Sequence, residues 1–243
     1  MARSDISAAY CGRLSNLAVP RCWAVFPGGG HITDGTLQAV QASWDGLSLP
    51  IMNMTIPSSP PFLCAHTFET PLGPMQACAS PQGLCLLEFT DTARLDHERA
   101  DLCRLLCTRI EPGHNPHTMR AEQEIAEYFA GTRQRFDVTL HTPGTAFQLG
   151  VWSILQRIPY GRTISYQYEA EALGSPRAIR AVATANGANR ISIIVPCHRV
   201  IGKDGHLVGY GGGLSRKQWL IAHEQAHRPF ELQGGAEEDI LAG

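Results

Sequence analysis

Of the eight cysteines in this 243-residue chain, one has neighbours that could do chemistry. Cys197 lies in Val195-Pro196-Cys197-His198-Arg199-Val200, with a proline before it and two nitrogen donors after it. A thiol reacts as its thiolate, and with an ordinary pKa near ~8.5 it is mostly protonated at neutral pH, so a cysteine nucleophile needs a base. His198 is adjacent in sequence, but neighbouring side chains diverge, so adjacency alone does not bring them into contact. Glu224, in the distal pair His223-Glu224, reads by position alone as a solvated charge near the end of a helix. No CxxC pair occurs, and no Cys/His set has the spacing of a zinc module. Cys85, inside Leu84-Cys85-Leu86-Leu87, and Cys103 and Cys107, beside Leu102, Leu105 and Leu106, read as small apolar core residues.

The elements that must carry these residues divide the chain. Residues 1–62 show no sustained periodicity and end in Pro57-Ser58-Ser59-Pro60-Pro61, which reads as a weakly ordered extension with a linker. Met52 and Met54 leave open where the functional start lies. From 63 to 140 the pattern predicts a small α/β unit: strands at 63–68, 75–79 and 84–89, then helices over 93–108 and 119–130. From 141 to 228 helices dominate. Thr145 with Gln148 forms a capping box ahead of the stripe Phe147, Val151, Ile154 and Leu155. Ser165 caps a short helix over 166–172, closed by Gly174. Ser175-Pro176 predicts an N-cap and first helical position for a second helix over 176–186, rich in alanine. Two short helices around a Gly-containing turn outline a helix-turn-helix. The β-branched run 191–195 leads to Cys197, Lys203-Asp204-Gly205 signals a hairpin, and Ser215 is placed to cap a last helix holding His223 and Glu224. Residues 229–243 form an acidic tail.

The formal net charge is −2, which on its face argues against nucleic acid, yet it hides a split. Residues 1–140 are net −4, residues 141–228 net +6 and the tail net −4. Such asymmetry points to an anionic partner for the second segment. Eighteen of the 20 basic residues are Arg, which suits phosphate contacts. No stretch approaches the ~18 unbroken apolar residues of a membrane helix. No signal peptide is read, so a cytoplasmic protein without a membrane partner is expected.

Residues 191–202 closely resemble the active-site signature of the O6-alkylguanine-DNA alkyltransferases, the methylated-DNA–protein-cysteine methyltransferases. The resemblance runs over about 63–227 through Thr145-Ala146-Phe147-Gln148, Ile158-Pro159-Tyr160-Gly161, Ile164-Ser165-Tyr166, Arg180-Ala181-Val182, Ala185 to Asn189 and Trp219 to Glu224, and is nearest the bacterial constitutive type. It implies a ribonuclease H-like N-terminal α/β domain with a small antiparallel sheet, followed by a mostly α, winged-helix-like domain. It implies irreversible, stoichiometric transfer of a methyl or alkyl group from O6 of guanine in double-stranded DNA, possibly also O4 of thymine, to Cys197. The S-methylcysteine product is a stable thioether with no easy route back, so each molecule reacts once.

The same resemblance assigns roles residue by residue. Glu224 orients His198, which reaches Cys197 through a water. The target base is flipped out of the stack, at a cost of a few kcal/mol; Arg180 fills the space it leaves from a minor-groove helix, with Arg199 among the residues on the DNA side. Tyr166 donates to guanine N3. The carbonyls of Cys197 and Val200 accept from the exocyclic amine. Tyr210 and Gly211 lie on the pocket loop, where human-type enzymes carry serine in place of Gly211; the glycine keeps a main-chain donor to O6, loses the hydroxyl and should leave more room. Asn189 fixes the turn before the active-site segment. No cofactor and no metal are expected, since Ser80 stands where some members place a zinc ligand, and a monomer is expected. Three other readings compete: a lesion-binding relative without a nucleophile, which Cys197 argues against; a plain helix-turn-helix regulator; and a Cys–His hydrolase, for which no oxyanion hole can be named.

Overall fold

The computed structural model describes residues 62–228, which fall within one compact unit, Pro60–Gly243. The expectations for residues 1–61 and 229–243 lie outside the described residues. Three antiparallel strands come first: β1 (Phe62–Phe68), β2 (Met75–Ser80) and β3 (Gly83–Phe89). Helices α1 (Leu95–Leu105) and α2 (Pro116–Phe129) follow, with a short strand β4 (Arg109–Pro112) between them. The strand order is β3-β2-β1-β4, and β4 pairs parallel to β1, Leu63 opposite Ile110. The sheet is therefore mixed rather than antiparallel. A four-residue segment with one apolar side chain facing inward carries too little alternation to be read as a strand. Asn115 caps α2, accepting from the amides of His117 and Thr118, with Pro116 at the first helical position.

β3 explains how the site is placed. It is an edge strand, yet all seven of its residues are buried. An open edge exposes unpaired amides and carbonyls, and here two later segments cover it. Leu84 exchanges bonds with Thr139 and His141, both at 2.8 Å. Leu87 N donates to Arg190 O and Leu87 O accepts from Ser192 N, each at 2.8 Å. The sheet thus carries the start of the segment that ends at Cys197.

The helical part is α3 (Ala146–Arg157), α4 (Tyr166–Ala172), α5 (Ile179–Gly187) and α6 (Leu214–Ala226). The capping box at Thr145 forms as expected, and Ser165 Oγ accepts from Tyr168 N. A two-residue parallel pairing joins β5 (Ile164–Ser165) to β6 (Val200–Ile201). Trp152 Nε1 donates to Ala185 O at 2.9 Å and locks α3 to α5.

Four local expectations fail. Helix α5 starts at Ile179; Ser175 O instead accepts from Ala178 N in a tight turn, so the serine-proline pair shapes the bend and not the cap. Residues 192–195 form turns rather than a strand, with Ile193 at φ 71. Gly213, not Ser215, stands at the N-cap of α6. Cys107 is exposed and Cys103 half-buried, so only Cys85 of that set is a core thiol.

Candidate active site

Cys197 begins a 3₁₀ turn, Cys197–Arg199, that follows Ile193, a β-branched residue held in left-handed backbone. Such a conformation costs on the order of 1–3 kcal/mol and persists only where its surroundings enforce it. Asn189 does much of that enforcing from the end of α5. Its Oδ1 accepts from Ile191 N at 3.0 Å, and its Nδ2 donates to Val195 O at 2.8 Å and to Cys197 Sγ at 3.2 Å. Burial pushes the Cys197 thiol up to about 11; the Asn189 bond, Arg94 and Lys217 pull against that, while Glu88 adds to it. The resting thiol is protonated at neutral pH, and a base must act.

The base lies one residue on. His198 is fully buried, its Nε2 2.7 Å from Glu224 Oε1. Glu224, on α6, is held on all sides: Tyr128 Oη donates to Oε1 at 2.9 Å, Gly161 N to Oε2 at 3.0 Å, and Arg199 to both oxygens at 2.9 and 3.0 Å. Burial opposes its charge, but His198 and Arg199 outweigh it and hold the carboxyl well below the usual range. An ionised Glu224 makes Nε2 the protonated nitrogen of a neutral imidazole. Burial lowers the His198 pKa, against the pull of Glu224, and so favours that neutral form. Nδ1 then carries the lone pair, and it is buried without a hydrogen-bond partner among the described residues. No hydrogen bond joins His198 directly to Cys197. Arg199 is 5% exposed and committed to Glu224 and to Ile158 O, which places it inside the fold rather than on a DNA-facing surface.

Cys197, Tyr166, Arg180, Tyr210 and Gly211 line one cavity of about 470 Å³. Arg180 is exposed at its rim on α5, beside the exposed Ala183 and Gly187. Burial pushes the Tyr166 hydroxyl up to about 12, so it is a donor at all ordinary pH. Val200 does not line this cavity; its carbonyl accepts from Lys217 Nζ at 2.6 Å. A larger cavity, about 690 Å³, is lined by Pro196 and Arg199 but not by Cys197, and the thiol decides between the two. Among the described residues no group of three or more His, Cys, Asp or Glu is arranged to hold a metal ion; Ser80 Oγ bonds instead to His141 Nδ1 at 2.8 Å.

The family described as 6-O-methylguanine DNA methyltransferase, DNA binding domain, matches residues 146–226. A methylated-DNA–protein-cysteine methyltransferase of Mycolicibacterium paratuberculosis is 54% identical over 112 residues, 46% of this chain and 68% of that one. One from Methanosarcina barkeri is 40% identical over 157 residues, 65% of this chain and 94% of that one. The chain belongs to the methylated-DNA–protein-cysteine methyltransferases. The solved structure of Mycobacterium tuberculosis OGT in complex with DNA is similar as well, with a TM-score of 0.58 and 39% identity over 70% of this chain and 97% of that one.

Two residues of this methyltransferase site escape sequence reasoning. Lys217, on α6, is fully buried and donates to the carbonyls of Val200, Val208 and Gly209 at 2.6, 2.7 and 3.2 Å. It clamps the segment that runs from the nucleophile to the pocket loop. Burial lowers its pKa to about 8, against the pull of Cys197. A lysine between Arg216 and Gln218 carries no pattern that foretells burial. Arg94 is the second. It lies far away in the first half of the chain, yet lines the cavity and donates from Nη2 to Gly187 O and Asn189 O, both at 2.9 Å. A Cβ at Gly211 would lie 1.6 Å from Arg94 Nη1. The space expected beside the glycine is therefore filled by a guanidinium. The signal was present as the glycine itself, but its cause is non-local.

Proposed function

We propose that this chain repairs DNA by moving an alkyl group from O6 of guanine to Cys197, once per molecule. The observation that carries the reading is the pairing at the cavity: a thiol at its wall and, one residue on, a buried neutral imidazole held by an ionised acid. In the reaction His198 Nδ1 takes the Cys197 proton through an intervening water, and Glu224 stabilises the imidazolium. Sulfur attacks the O6-bound carbon as the C–O6 bond breaks. The electron pair goes to O6, and the base recovers a proton at N1 to leave as ordinary guanine. The thioether has no easy leaving group, and among the described residues no second cysteine lines the cavity to resolve it.

The pair α4 and α5, joined through residues 173–178, acts in this reading as a helix-turn-helix on duplex DNA, within a winged-helix-like half of about 141–228. Residues 63–140 serve as a ribonuclease H-like scaffold. The exposed small residues of α5 permit close approach in the minor groove, and Arg180 fills the gap left by the flipped base. Tyr166 donates to the base in the pocket, and Tyr210 and Gly211 wall it. The positive charge of residues 141–228 and the DNA complex of a relative support this binding mode.

Incubation with an O6-methylguanine duplex followed by intact-protein mass measurement tests the reading. The expected result is a gain of one methyl group, mapped by digestion to Cys197 and lost in Cys197→Ala. Lesion-dependent binding with unchanged mass would replace it with a non-catalytic lesion binder.

A further inference from the structure

We propose that Arg94 is a catalytic residue of this site, its Nη1 donating to guanine O6 and stabilising the negative charge that gathers there as carbon moves to Cys197. The inference rests on the alkyl-transfer reading and adds to it a residue from outside the matched region 146–226.

The geometry is specific. Arg94 stands at the start of α1 and reaches across to the cavity that holds Cys197. Four hydrogen bonds fix its side chain: Nε to Glu98 Oε1 at 2.8 Å, Nη2 to Glu98, and Nη2 to Gly187 O and Asn189 O. Glu88 Oε2 lies 3.7 Å from Nε. These contacts engage Nε and Nη2. Nη1 has no hydrogen-bond acceptor among the described residues, although a guanidinium carries five N–H donors in a fixed fork. That free nitrogen sits where the side chain of residue 211 would begin. Asn189 links Arg94 to the nucleophile, accepting from the guanidinium through its carbonyl and donating to Cys197 Sγ through Nδ2.

The chemistry needs such a group. Transfer breaks the C–O6 bond and leaves its electron pair on O6. A permanent cation preorganised there acts when the charge develops, without reorganisation at that moment. Glu98 keeps the guanidinium aimed, and the permanent charge of arginine means that it is present at every working pH.

A structural role is the alternative, because Arg94 also ties down the end of α5. Two electrophiles that need no DNA separate the roles. O6-benzylguanine as free base reacts at Cys197 with O6 as leaving atom; iodoacetamide reacts at the same sulfur with no O6 at all. Their rate ratio removes any change in thiolate population or general accessibility. In Arg94→Gln the ratio of benzylguanine to iodoacetamide rates should fall on the order of 10²-fold, the loss typical of one such donor, with partial return in Arg94→Lys. Gly211→Ala, with Arg94 intact, should give the same fall by pushing the guanidinium aside, and it serves if Arg94→Gln does not fold. A ratio unchanged in both variants, with both rates reduced together, overturns the proposal and leaves Arg94 a strut. A wild-type protein that takes no benzyl group from O6-benzylguanine while iodoacetamide labels Cys197 would instead defeat the alkyl-transfer reading, and this inference with it.

Discussion

Glu169, on α4, is fully buried and accepts from Asn186 Nδ2 of α5 at 2.7 Å. Its other oxygen, Oε1, and Asn186 Oδ1 are both buried without a partner. A proton on the carboxyl removes the charge that burial penalises. Burial accordingly pushes the carboxyl up to about 7, against the pull of the Asn186 bond. In the unfolded chain the same group titrates near 4.5. Between these values the folded state holds a proton that the unfolded state has lost. Stability from this group is therefore present below about pH 4.5, falls as pH rises towards 7 and is flat above it. Each tenfold in proton affinity is about 1.4 kcal/mol, so the full loss is about 3 kcal/mol. Glu169→Gln replaces the acid with an amide of the same shape that stays neutral at every pH. We expect it to match the wild type near pH 5 and to exceed it at pH 8 by about 3 kcal/mol, or roughly 6–12 °C in Tm for a chain of this size. Glu88, also pushed up to about 7 by burial, contributes equally to both proteins and cancels in the difference. Thermal and urea unfolding of both from pH 5 to 8 provide the assay. Two stability curves that run parallel over that range would refute the argument.

Three further outcomes are expected. Arg180→Ala should slow repair of an O6-methylguanine duplex by tenfold or more while leaving reaction with free O6-benzylguanine within about twofold; equal losses in single-turnover rates would remove Arg180 from base flipping. Lys217→Met strips the donor from three carbonyls and should lower stability by about 2–4 kcal/mol, with a slower benzylguanine reaction; an unchanged urea midpoint and rate would show that the clamp is dispensable. Tyr128→Phe deletes one of the donors to Glu224 and should cost about 1–3 kcal/mol, while the adduct still maps to Cys197; no loss in unfolding measurements would mean that Arg199 and His198 suffice.

The chain announced its chemistry in one short run and its scaffold in local signals. Thr145 and Ser165 cap helices because a side-chain oxygen three residues before an amide is a purely local bond. The first three strands are legible because alternation and turns are local too. What escaped depends on distant partners. Arg94 meets Gly187 and Asn189 roughly a hundred residues on, and nothing in its own neighbourhood indicates that crossing. Lys217 is buried only because three loop carbonyls converge on it. β4 is a strand only because β1 offers it an edge. The run 191–195 has strand composition but bends, since Asn189 and the rim of β3 claim its polar groups. Ser175-Pro176 carried a cap signal, yet a turn used it first.

The covered rim of β3 has a consequence for synthesis on the ribosome. The nucleophile is aligned by amides at Leu87 that wait for Arg190 and Ser192, and its base is aligned by Glu224 near the far end of the last helix. Neither half of that alignment exists in a partly emerged chain. Alkyl transfer that depends on this base therefore waits until the chain has been translated through Glu224.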